Sequence, residues 1–320
     1  MSGKSKRRAR PPALHRPDTR EVAVAQVTDK YSEYPSNGLT PIRLAEIFKE
    51  ADAGDILRQA ELFEEMEEKD PHLFSQLQTR KNAVTGLDFE IIPFDPDDER
   101  DKEIAEFIEA QINGIEGLED IMLDLMDAVG KGFAVSEIMW HYDAGRVVVG
   151  DIRSRHQKRF FWDTEDKFKV RTDEVPEGME LPGNKFILHR YKARSGHPSR
   201  AGVLRVVAWM YLFKNYTLKD WVAFCEVYGM PLRLGKYQPG ASEDDKRALM
   251  QALAQIGADA AGIFPDGTTI EFINTEKASS TDLYERLARY CDEQISKAIL
   301  GQTLTSDSGG GSYAQSKTHN

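Results

Sequence analysis

The feature that most limits the possible folds is one uninterrupted helical pattern from Val203 to Tyr228. Gly229 at a C-terminal capping position and Pro231 just beyond mark its end. At 1.5 Å rise per residue, such a helix spans roughly 40 Å. Apolar side chains occupy most of its circumference: Val203, Leu204, Val206, Val207, Trp209, Met210, Leu212, Phe213, Leu218, Trp221, Val222 and Phe224. Arg205, Lys214, Lys219, Asp220 and Glu226 exclude a bilayer span. A helix this apolar must be covered on several sides. Either the rest of one large domain or neighbouring subunits could supply that cover.

The remainder of the chain predicts a mixture of helices and strands. Thr40-Pro41 opens a short helix, and a second runs over about 54–69. Asp70-Pro71 pairs an N-cap with proline at N1 and starts a third, which Gly86 stops. The alternation of Leu87 to Pro93 predicts a strand, and helices follow over about 100–113 and 117–130. Gly132–Trp140 and Arg146–Ile152 flank Asp143-Ala-Gly145, a hairpin signal. Shorter strands are expected near Phe160–Trp162, Lys167–Arg171 and Lys185–His189. Beyond the long helix, strand Leu232–Tyr237 precedes a helix capped by Ser242. Strands Ala261–Phe264 and Thr268–Ile273 flank the hairpin turn Pro265-Asp-Gly267. A last helix covers Asp282–Leu300, with a stripe of Leu283, Leu287, Cys291, Ile295 and Ile299 and a capping box at Asp282 and Glu285.

Charge narrows the choice of partners. The first 20 residues hold seven bases (Lys4, Lys6, Arg7, Arg8, Arg10, Arg16, Arg20) and one acid, Asp18. The whole chain carries −11, so the body beyond the arm carries about −17. Such a body repels a phosphate backbone, because duplex affinity comes from Lys and Arg neutralising phosphates. The basic arm could bind nucleic acid, but its composition beside Pro11, Pro12 and Pro17 reads as disorder. It has no apolar core and so is no secretory signal. Two cysteines, Cys225 and Cys291, argue against a disulfide scaffold or Cys-based metal site and suit a reducing cytoplasm.

No motif carries catalysis. Gly130-Lys131-Gly132 lacks the P-loop spacing and Ser/Thr, and Ser308-Gly-Gly-Gly-Ser312 has no lysine in the P-loop position. The seven histidines show no metal-ligand spacing. His156 among Arg153, Arg155, Lys158 and Arg159 is read as a solvated edge, and the acids of Glu61–Glu68 as a wet helix face. Ser195-Gly-His-Pro198 does not match a nucleophile elbow. No enzyme, cofactor or metal is expected.

Two segments carry a family likeness. One is Gly130-Lys-Gly-Phe-Ala-Val-Ser-Glu-Ile-Met-Trp140, with the Gly145 hairpin and Phe160-Phe-Trp162. The other runs from Phe186-Ile-Leu-His-Arg-Tyr191 through Gly202-Val-Leu-Arg205 and Trp209 to Tyr228-Gly-Met-Pro-Leu232. From about residue 40 onward the chain resembles the portal proteins of Mu-like phages and prophages. The resemblance implies an elongated α+β subunit. A basic arm (1–39) would precede an α/β wing (40–200), a stem helix (201–229), a small α/β clip (230–274) and a return stem helix (275–300). A flexible Gly/Ser-rich loop and the start of a tunnel helix (301–320) would follow.

It further implies a structural head-tail connector: a dodecameric ring of this chain at a capsid vertex of the virion, assembled in the bacterial cytoplasm. Double-stranded DNA would pass through it, with the terminase large subunit, head-completion and capsid proteins as partners and no membrane. On that reading Val207, Trp209, Met210, Phe213, Trp221 and Phe224 pack subunits together in the stem. Lys214 and Lys219 face DNA or a neighbour, and Lys236, Tyr237, Glu243, Asp244, Asp245 and Lys246 form a docking surface. Family members continue through a tunnel-lining helix and a crown, so a chain ending at Asn320 is expected to be a shortened one. The alternatives are a monomeric or small-oligomer adaptor that binds nucleic acid through the arm, and a hydrolase with an unusual site.

Overall fold

The computed structural model describes residues 17–24, 35–228, 233–255, 261–265 and 280–302. It divides into two compact units, one of residues 1–212 and 292–320 and one of residues 213–291. The division falls within both long helices.

The first unit begins with three helices, α1 (Pro41–Asp52), α2 (Leu57–Lys69) and α3 (Pro71–Thr85). The caps read from the sequence have the expected partners. The Thr40 hydroxyl accepts from the Arg43 amide, and the Asp70 carboxylate from the amides of His72 and Leu73 at 3.0 and 3.1 Å. After α4 (Glu99–Asn113), the expected second helix is broken at Asp127 into α5 (Leu118–Met126) and α6 (Ala128–Lys131). Leu87–Pro93 forms no strand. Alternation makes a strand only where a sheet edge takes up its hydrogen bonds, and none pairs with this run among the described residues.

Strands β1 (Phe133–Asp143) and β2 (Arg146–Arg155) form the expected hairpin, turning at Ala144 and Gly145, both of positive φ. Gly150 is the extra residue of a bulge where the register shifts between Met139 and Trp140. Then come β3 (Phe160–Trp162), β4 (Phe168–Val170), β5 (Met179–Glu180) and β6 (Phe186–Arg190). They make two antiparallel sheets, ordered β2-β1-β6 and β3-β4-β5. One core lies between them, where the Phe133 ring meets Trp162 at 5.1 Å and Phe168 at 5.5 Å.

Within the expected arm, residues 17–24 are held against this unit. The amides of Val22 and Ala23 donate to the buried Glu137 carboxylate at 2.6 and 3.0 Å, and Ala23 is buried in the sheet core. Glu137 also accepts from Arg155 at 3.0 Å and lies 3.4 Å from the Lys185 ammonium. Composition predicts disorder here because it cannot register one buried carboxylate 115 residues away.

The long helix α7 (Leu204–Tyr228) follows. Its first half lies in a second core with Leu44, Ile47, Leu62, Phe63, Leu73 and Leu77, joined by Ile295 and Ile299. Those last two belong to the final helix, Ser280–Leu300. Asp282 lies within its first turn, not at its cap.

The second unit contains β7 (Arg233–Tyr237), α8 (Glu243–Gln255) and β8 (Ala261–Pro265) before that final helix, α9. The strands pair in parallel, Arg233 opposite Ala261 through Tyr237 opposite Pro265. Parallel neighbours need a crossover, and α8 supplies it. Gly229, Pro231, the turn at Asp266-Gly267 and the expected strand Thr268–Ile273 lie outside the described residues.

Candidate functional site

The sequence features that suggested chemistry have structural work instead. In Gly130-Lys131-Gly132, the backbone passes against the turn at residues 198–203. A Cβ on Gly132 would come within 2.4 Å of the Pro198 carbonyl oxygen, and one on Gly202 within 2.2 Å of the Gly130 oxygen. Both glycines are there so that two backbone segments can touch.

Ser199, His197 and Asp166 do form a chain of hydrogen bonds, Ser199 Oγ to His197 Nδ1 at 2.7 Å and His197 Nε2 to Asp166 at 3.1 Å. Ser199 is only 1% exposed, and the His197 ring nitrogen caps the short turn at 198–200. A nucleophile that a substrate cannot reach is no nucleophile.

Part of each run is drawn inside the first unit. Glu61, Glu64 and Glu67 of α2 and Lys158 beside His156 are paired there, whereas Glu68 and Arg153 are exposed. Lys81 bonds Glu67 at 2.7 Å and Asp127 at 3.1 Å. Lys131 bonds Asp127 at 2.8 Å and also Glu64, while Gln157 donates to Asp127 at 2.8 Å. Lys158 lies 3.4 Å from Glu61. Burial favours the neutral Asp127, but the Lys131 and Lys81 ammoniums outweigh it and hold that carboxyl far below the usual range. Burial and then Lys131 push His156 down to about 4, so the ring is neutral. Among the described residues, no group of three or more His, Cys, Asp or Glu could hold a metal ion, and no helix is long and apolar enough to cross a membrane.

Among the described residues, apolar side chains are exposed on both units, including the second. There α7 exposes Phe213, Tyr216, Leu218 and Val222, the last at 59%. Leu218, Trp221, Val222 and Cys225 line a shallow apolar depression beside Glu226. On α9, Leu283 is 65% exposed, with Leu287 and Tyr290 also exposed. The Phe224 and Tyr284 rings, 5.8 Å apart, join the two helices. Contiguous exposed apolar surface is a common feature of interaction sites. The arrangement can bury surface against another protein.

The residues named from the sequence fall on both sides of this division. Val207 is buried in the chain's own core, and Trp209 and Met210 pack at its edge. Phe213 is exposed, and Trp221 and Phe224 are half-buried. Lys214 is 9% exposed, whereas Lys219 stands in solvent.

On α8, Glu243, Asp244 and Asp245 occupy the first turn, where carboxylates favour the helix dipole. Asp245 also completes a reciprocal cap, accepting from Ser242 Oγ at 2.7 Å while its amide donates to that oxygen at 3.1 Å. Lys246 pairs with Glu243 at 2.7 Å and sits 5.1 Å over the Tyr237 ring, and Lys236 is exposed. The exposed residues Tyr216, Leu287 and Tyr290 carry no sequence signal separating them from core positions, since helical spacing is the same for both.

Comparison with known proteins gives concordant matches. The family model described as "Portal protein of Mu bacteriophage" matches residues 60–320. The Mu-like prophage FluMu protein gp29 of Haemophilus influenzae is 38% identical over 288 residues, covering 88% of this chain and 54% of that protein. The portal protein of Escherichia phage Mu is 35% identical over 292 residues, covering 91% and 57%. The chain thus spans about half the length of the curated relatives it matches. Among solved structures, a chain of the native gene transfer agent virion is similar at a TM-score of 0.49 and 10% identity, covering 77% of this chain and 70% of that one.

Proposed function

Because the chain belongs to the family of Mu bacteriophage portal proteins, we propose that it is a structural subunit of a portal ring, dodecameric, through which double-stranded DNA is packaged and ejected. In this reading residues 40–200 are the wing, the long helix the stem, residues 230–274 the clip and the final helix the return of the stem. The terminase large subunit, head-completion proteins and capsid proteins dock around it at the capsid vertex, after assembly in the host cytoplasm. It performs no catalysis.

One observation carries the proposal: α7 and α9 expose Phe213, Leu218, Val222, Leu283 and Leu287 in the isolated chain. A ring supplies the missing cover, since each stem packs between two others. The body's net charge of about −17 supports DNA sliding past instead of being held. Lys219 is exposed and so can meet DNA, and the α8 acids leave Lys236 and Tyr237 as the more adaptable part of the docking surface.

The substitution Val222→Asp tests this. A chain that stays folded but loses its assembled state, measured by sedimentation, is expected. Assembly unchanged by a carboxylate at that position would contradict the reading.

A further inference from the structure

A second exposed apolar surface lies in the first unit, far in sequence from α7. Leu87, Phe89, Ile92 and Phe94 are exposed, Phe94 at 94%, and α4 turns Ile104, Phe107 and Ile108 outward. Leu87 and Phe89 line a groove of about 630 Å³ with Ile91, Ile112 and Met122. The same stretch, residues 88–116, holds eleven acids and two bases. It is at once aromatic and strongly negative.

We propose that this surface is the docking site of the chain's own basic arm, residues 1–16. The arm offers the complementary chemistry, with six bases, no acid, and Pro11, Pro12 and Leu14 among the arginines. Proline-rich segments seat on aromatic grooves with little loss of chain entropy, and guanidinium groups stack on aromatic faces. The surface already accepts one such group, as the Arg146 guanidinium stands 5.8 Å from the Phe107 ring centre.

Reach favours the chain's own arm. Its root is pinned at Glu137, which lies opposite Arg153 of β2. Four residues along β2, the Val149 amide donates to Gln111 of α4 at 3.1 Å. That separation is about 13 Å along the strand, whereas sixteen extended residues span roughly 50 Å. A tethered ligand within reach is present at an effective concentration on the order of millimolar. The contact does not depend on ring assembly.

Hydrogen exchange on the full chain tests it, against a variant carrying Arg7→Gln, Arg8→Gln and Arg10→Gln. At low ionic strength the amides of residues 87–94 and 104–112 are expected to exchange roughly fivefold more slowly in the native chain. The difference should vanish near about 0.5 M salt, where the charges are screened. Glu103→Gln with Glu106→Gln, which leaves the arm intact, should remove the same protection. Equal exchange in native and variant chains overturns the proposal. Protection that grows with protein concentration also overturns it, by giving the surface to a second copy.

Discussion

Along α7, Leu204, Val207, Ala208, Tyr211 and Leu212 are sealed by α2, α3 and the end of α9, whereas Phe213, Tyr216, Leu218 and Val222 in the following turns are exposed. The α9 stripe divides in the same way, with Cys291, Ile295 and Ile299 buried but Leu283 and Leu287 exposed. Each helix keeps one apolar pattern along its length and changes only its surroundings. Among the described residues, each pattern continues past the core that covers its other half. The first unit also pairs its buried charges internally: Glu137 with Arg155 and Lys185, Asp127 with Lys81 and Lys131.

Substitutions in either half separate the two kinds of surroundings. The largest effect is expected at Glu137, where alanine would leave Lys185 buried without its carboxylate and Arg155 with Glu21 alone. That should cost about 3–5 kcal/mol in denaturant unfolding of the chain and release the 17–24 segment to proteolysis. Leu204→Ala, in the sealed half of α7, should cost about 3 kcal/mol by lost burial and a residual cavity. If either change proved neutral, the first unit would not be the self-contained half described.

Acid should act on the same half. The unfolded chain takes up a proton on His156 near pH 6.5, while the folded chain, with that ring buried beside Lys131, refuses it until about 4. Stability is therefore complete above about 6.5 and falls as pH drops towards 4, by roughly 2–3 kcal/mol. His156→Gln should flatten that slope in a pH series of unfolding midpoints. The smallest effect is expected in the open half. Val222→Ser should change the stability of the dissociated chain by less than about 0.5 kcal/mol while weakening assembly. A large loss in the dissociated chain would mean that this half is covered internally after all.

Much of this division could be read in the residues, and its decisive part could not. Thr40-Pro41, Asp70-Pro71 and Ser242 mark helix starts because a cap is local chemistry, and Asp143-Ala-Gly145 marks the hairpin for the same reason. The circumference of α7 announced a helix needing cover on many sides. Which half receives it depends on Leu62, Leu73 and Ile295, distant residues that no local pattern connects to Leu204. Leu87–Pro93 failed for the same kind of reason, since a strand needs a neighbour as well as an alternation. The Glu61–Glu68 run seemed solvated because the lysines that meet it, Lys81, Lys131 and Lys158, come from three other places in the chain.

In the portal reading, other copies of this chain cover the open halves of α7 and α9. The most direct test is the native mass in solution, by light scattering on a size-exclusion column with negative-stain images of the same fractions. Closed rings with a central hole, which Val222→Asp disperses, are expected. A monomer at every concentration, with Phe213 and Val222 indifferent to substitution, would contradict it.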